Sequence, residues 1–206
     1  MEIIKSSILG NSSLGLYAFA TDSYAIVPFG VKEEVKQTMQ DILKVKPVEL
    51  VISGSILVGV LACGNSNTIL VPSNIYQKEI DIIQSNLDSN IEIVEIKSKY
   101  TALGNLILRN DKGALNVEVE VGEILGSPLV GTMAMCTNKG ALTHPLTSEE
   151  ERDALRSLLG VKIDLCTVNR GVPYPRVGIV ANSKGVIIGK ETTGPESMRI
   201  FEILLT

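Results

Sequence analysis

Four stretches of this chain, "PVELVI", "IEIVEI", "NVEVEV" and "VKIDLCTV", alternate apolar and polar residues with a period of two. That period predicts half-buried strands. Other stretches repeat near every 3.6 residues. Val31, Val35, Met39 and Ile42 fall on one helical face, as do Tyr76, Ile80, Ile83 and Leu87. Two more helices are signalled by their first turns. Thr147 with Glu150, and Thr193 with Glu196, have capping-box spacing. Glu149 and Glu151 add negative charge at the first of these, and Pro195 sits in the first turn of the second. Ahead of each helix stand two apolar runs around a polar turn. The predicted order is strand, strand, helix, strand.

The same order is written five times. The segments "SLGLYAFATDSYAIVP", "LVGVLACGNSNTILVP", "ALGNLILRNDKGAL", "LVGTMAMCTNKGALTHP" and "RVGIVANSKGVIIG" each centre on a glycine. Gly15, Gly59, Gly104, Gly131 and Gly178 are spaced by 44, 45, 27 and 47 residues. The turn positions Ser23, Asn67, Gly113, Gly140 and Gly185 are spaced by 44, 46, 27 and 45. Two anchors agree on one period, and both fall short in the same interval. In "DKG", "NKG" and "SKG" the glycine is expected to supply a positive φ for a short hairpin.

The fifth unit ends at its helix, without a closing strand. The chain begins with an orphan strand, "EIIKSSI", at 2–8. The reading that leaves no open edge is a ring in which this strand completes the last unit. The expected fold is α/β, a propeller of five pseudosymmetric strand-strand-helix-strand repeats in a single domain, 1–206. The repeats cover about 9–52, 53–96, a shortened 97–121, 122–168, and 169–206 together with 2–8. The third lacks a loop and a helix, roughly 17 to 20 residues by comparison with its siblings. A disordered stretch omitted from the sequence as read, a cut, and a natural deletion would each produce this. The first two are favoured, because a unit without its helix exposes an apolar sheet face. They place a chain break between Leu115 and Asn116.

Composition narrows the function classes. The chain is 45% hydrophobic and 4% aromatic, without Trp, so the core must be aliphatic. No apolar run approaches a membrane span, and the N-terminus lacks the basic region and cleavage site of a signal peptide. Cys63, Cys136 and Cys166 form no C-x-x-C pair, which suits a reducing cytoplasm. A net charge of −4 does not suit a protein that binds free nucleic acid by neutralising phosphates. On a ribonucleoprotein, it would meet a basic protein component.

The strings "ALGNLILRNDKGAL", "CTNKGALTHP", "TVNRG" and "ANSKG…TTGPE" resemble the translation initiation factor 6 family in its archaeal form, through all five units from 13 to 195. The resemblance implies the pentein fold and no catalytic activity or cofactor. It implies binding to the intersubunit face of the large ribosomal subunit, so that the small subunit cannot join. Eukaryotic members carry a regulated C-terminal tail that this chain lacks. Members normally have a helix in the third unit, which the short interval here departs from. The expected partner is the large subunit, mainly through a basic ribosomal protein, with no membrane and no self-association.

Asn105 is the leading candidate contact. Its counterparts after the other four glycines are Leu16, Val60, Thr132 and Ile179, all apolar or β-branched. The plain alternative is a buried Asn bonded to a neighbouring loop. The resemblance places "ALGN" in the subunit-binding face, and by the same pattern Gly104, Gly15 and Gly59 border it. Each glycine is also explained by crowding near the axis. Asn65, in "CGNSN", is a contact candidate or a turn residue. In eukaryotic members Arg stands where Val60 stands here, a departure from that pattern. His144 is the only His; it reads as a strand-end residue bonded locally, and no metal set accompanies it. The three Cys read as small strand hydrophobes. Two rival functions remain: a guanidine-modifying enzyme of the pentein fold using a Cys/His pair, and a ring scaffold with another protein partner.

Overall fold

The computed structural model describes residues 2–112 and 122–206. The expected break between Leu115 and Asn116, and the strand "NVEVEV", lie outside the described residues. The first strand, β1, spans Glu2–Ser6. The first unit follows with α1 (Leu14–Tyr17), β2 (Phe19–Ala20), β3 (Ala25–Val27), α2 (Glu33–Leu43) and β4 (Pro47–Glu49). The second has α3 (Val58–Leu61), β5 (Cys63–Asn65), β6 (Thr68–Pro72), α4 (Gln77–Asn86) and β7 (Glu92–Ile96). Among the described residues the third unit contributes α5 (Leu103–Leu106) and no strand. The fourth has α6 (Val130–Met133), β8 (Ala134–Cys136), β9 (Gly140–Thr143), α7 (Glu149–Leu159) and β10 (Lys162–Leu165). The fifth has α8 (Pro175–Gly178), β11 (Ile179–Ala181), β12 (Gly185–Gly189) and α9 (Gly194–Leu204).

The described strands form four three-stranded sheets with one wiring. An antiparallel hairpin is followed, across a helix, by a parallel third strand: β2–β3–β4, β5–β6–β7 and β8–β9–β10. In the fourth sheet the hairpin is β11–β12, and the parallel strand is β1, from the other end of the chain. Ile4 faces Ile187 in that register. The long helices join neighbouring units. Met39, Ile42 and Leu43 of α2 pack with Val180 and Ile187 of the fifth unit. Ile200 and Leu204 of α9 pack with Met135 and Leu142 of the fourth.

Four expectations need correction. The glycine-centred segments are four-residue helices where strands were expected. Leu14 and Tyr17, Val58 and Leu61, and Leu103 and Leu106 stand three apart, and over so short an apolar run the helical and extended periods cannot be told apart. Gly140 and Gly185 have no positive φ. A Cβ on Gly140 would lie 2.0 Å from the Ile203 carbonyl oxygen, and one on Gly185 2.2 Å from that of Ile42. Those turns are glycine because a neighbouring helix end leaves no room. The capping box of α7 is Ser148 with Glu151, one residue later than expected. The Thr147 hydroxyl is buried and donates to the His144 carbonyl at 2.8 Å. The box of α9 is Thr193 with Glu196, as the spacing predicts. Tyr76, expected on the packed face of α4, is the exposed N-cap, while Ile83 is fully buried.

Candidate functional site: the short-helix cycle and the polar axis

The five short helices pack in a closed cycle: α1 on α3, α3 on α5, α5 on α6, α6 on α8, and α8 on α1. Glycine makes the approach possible. A Cβ on Gly59 would lie 2.1 Å from the Gly15 carbonyl oxygen, on Gly104 2.0 Å from that of Gly59, and on Gly131 2.3 Å from that of Gly104. A Cβ on Gly15 would lie 1.8 Å from the Arg176 carbonyl oxygen. Any side chain would force these backbones apart. The cycle also corrects the fifth anchor. The carbonyl that closes it belongs to Arg176, and Gly178 packs against Val168. From Gly131 to Arg176 is 45 residues, closer to the common period than the 47 to Gly178.

Asn105 is the third residue of α5. It is half-buried, like Leu16, Val60 and Thr132 at the equivalent places of α1, α3 and α6. Its backbone N–H donates to the Ala102 carbonyl at 3.0 Å. Its side chain makes no hydrogen bond among the described residues, so the alternative of a buried Asn tied to a neighbouring loop does not describe it. Gly104, Gly15 and Gly59 are buried beneath this partly exposed row. Asn65 is elsewhere, in the hairpin turn beyond Cys63. Its Oδ1 accepts from the Asn67 and Thr68 N–H groups at 3.1 and 3.0 Å. Thr21, Asn110, Thr137 and Asn182 hold the equivalent turns with a side-chain oxygen.

These turns meet at one end of a polar axis. Asn138 Nδ2 reaches Asp22 Oδ2 at 2.8 Å and Asp111 Oδ2 at 2.6 Å. Asp22 accepts from the Ser183 N–H at 2.7 Å, and Asp111 from the Ser66 N–H at 2.7 Å. All five units are tied together at this mouth. Behind it lies a cavity bordered by Arg109, Arg176, Cys63 and Cys136. Burial pushes the Cys63 thiol up to about 11 and the Cys136 thiol up to about 12, against the pull of nearby Arg109 and Arg176. Both are therefore neutral thiols near pH 7. His144 is not on this wall. Its Nδ1 accepts from the Leu146 N–H at 3.1 Å, and its ring packs on Tyr174. No Cys/His pair faces the axis. Neither arginine was singled out by the sequence; the 45-residue spacing to Arg176 was the one available signal.

Among the described residues there is no group of three or more His, Cys, Asp or Glu placed to hold a metal, and no helix long and apolar enough to cross a membrane. Fold and site define an α/β protein of small three-stranded sheets that meet at a polar axis, flanked by a cycle of short helices. The sequence profile of the eIF-6 family matches residues 3–116 and 113–203. The chain belongs to that family. It is similar to proteins named translation initiation factor 6: 39% identical over 224 positions to that of Pyrococcus horikoshii, with 99% of each chain covered. Identity is 38% over 218 positions to that of Staphylothermus marinus, covering 97% of this chain and 96% of the relative. It is 40% over 224 positions to that of Methanocaldococcus jannaschii, covering 98% and 97%. An alignment of 224 positions against 206 residues leaves at least 18 unmatched in this chain. The family match divides at 113–116, where the third repeat is short.

Proposed function

We propose that this chain is a translation initiation factor that binds the intersubunit face of the large ribosomal subunit and keeps the small subunit from joining. Family membership supports the translation role. The observation that carries the contact surface is Asn105: a partly exposed amide on the helix cycle, with no side-chain hydrogen bond among the described residues. In this reading the chain is one domain, a pentein-type α/β propeller of five repeats with β1 completing the fifth. The short-helix face docks, with Asn105 as its polar anchor and Gly104, Gly15 and Gly59 keeping the surrounding backbone flat. Asn65 contributes at the turn mouth through its Nδ2. The factor acts without catalysis or cofactor, as a monomer in the cytoplasm. It engages a basic ribosomal protein and does not bind free nucleic acid.

Substituting Asn105→Ser tests the reading. The shorter side chain leaves α5 intact, so the melting temperature should stay within about 2 °C of wild type. Cosedimentation with purified large subunits should weaken by about 1–3 kcal/mol as a buried polar partner loses its bond. Small-subunit joining should return at factor concentrations where wild type blocks it. Undiminished binding together with a lower melting temperature would make Asn105 a residue of the fold alone.

A further inference from the structure

We infer that the axial cavity is a binding site for a small inorganic monoanion, chloride in the cell, held between the guanidinium groups of Arg109 and Arg176. Arg109 is 6% exposed, and its Nε, Nη1 and Nη2 are buried with no hydrogen-bond partner among the described residues. Nη2 of Arg176 is buried in the same condition. Both side chains border one cavity, and its remaining wall is largely apolar, with Phe19, Ile107, Met135 and Val180. A guanidinium cannot shed its proton to escape burial. An unpaired charge in such surroundings is among the costliest features a fold can carry.

Among the described residues no carboxylate borders that cavity. Cys63 and Cys136 each feel both arginines, and burial keeps them as thiols. The Asp111 carboxylate feels the Arg109 charge, but its oxygens are taken by Ser66 and Asn138 at the mouth. Asp22 is likewise held by Ser183 and Asn138. Among the described residues neither arginine is in an ion pair. Size selects the ligand class. The cavity is about 20 Å³, room for one occupant near the size of a water molecule. Among anions, a monatomic halide makes the smallest demand on that space. The inference stands apart from ribosome binding, because the site lies behind the turn mouth and does not include Asn105.

The test uses the whole chain, exchanged into sodium gluconate and titrated with chloride or bromide at constant ionic strength. A saturable rise in melting temperature is expected, roughly 5–10 °C when the halide reaches 100 times its Kd. Crystals soaked in sodium bromide should show an anomalous peak within hydrogen-bond reach of both guanidinium groups. Arg176→Gln keeps the backbone carbonyl that Gly15 packs against, and should abolish the halide-dependent shift. Melting curves that superimpose in gluconate and chloride, a halide shift that survives in Arg176→Gln, or bromide at the surface with only water in the cavity would each overturn the assignment. If Arg176→Gln does not fold, the bromide peak decides.

Discussion

Glu196 shows what one carboxylate does for this fold. Partial burial raises its pKa, but donors from Thr193 N at 2.7 Å, Thr167 Oγ1 at 2.7 Å and Gly171 N at 2.9 Å outweigh that and bring it down to about 2. It caps α9 and ties down the turn before α8. Glu79 and Glu151 do the same for α4 and α7, accepting from the Gly54 and Leu125 N–H groups. A folded-state pKa below the ordinary 4.5 means that the stabilisation is present above pH 4.5 and is lost as pH falls toward 2. Glu196→Gln should therefore cost about 1 kcal/mol at pH 7, after allowance for its partial exposure. Thermal melts should show the gap closing near pH 2; an equal gap at both pH values would remove the carboxylate from the account. Thr193 and Glu196 were legible from spacing alone. "TSEEE" offers two frames, and only the buried Thr147 hydroxyl chooses between them. Arg109 and Arg176 were not legible, because no local pattern says that a polar end points inward to an axis.

At the scale of elements, the seam was the most legible feature. A missing last strand and an orphan first strand match in number and type, and β1 does pair with β12. All five residues of β12 are buried. Removing residues 2–6 would strip one side of its backbone bonds and uncover the apolar residues that Ile3 packs against. Losing such a ladder costs about 3–5 kcal/mol, so the melting temperature should fall by about 10 °C and self-association should appear by light scattering. A truncated chain that melts like wild type and stays monomeric would show the seam to be dispensable. The short helices were not legible as helices. Four apolar residues carry too little periodicity, and what each packs against is a carbonyl of the neighbouring unit, distant in sequence but adjacent in space.

On the scale of the molecule, the acidic balance and the docking surface make a joint prediction. A basic phosphate binder with 6–10 contacts loses roughly 10³–10⁵ in affinity between 50 and 200 mM salt. With a net charge of −4 and a neutral anchor in Asn105, this chain should lose less than about tenfold over that range, measured by sedimentation with large subunits. A steep slope would point to phosphate contacts instead. The wiring repeated in the four described sheets was legible because two anchors drifted together. The axial cavity was not, since it exists only once all five units have met. That dependence also runs in time. β1 is synthesised before its partner β12, which lies 183 residues further along the chain. At 5–20 residues per second, roughly 10–40 s pass before the two can meet. Until then β1 waits with a bare edge, and a chain stalled before Gly189 never closes. The fold thereby inspects its own completeness: a partly made copy lacks both the seam and the axis.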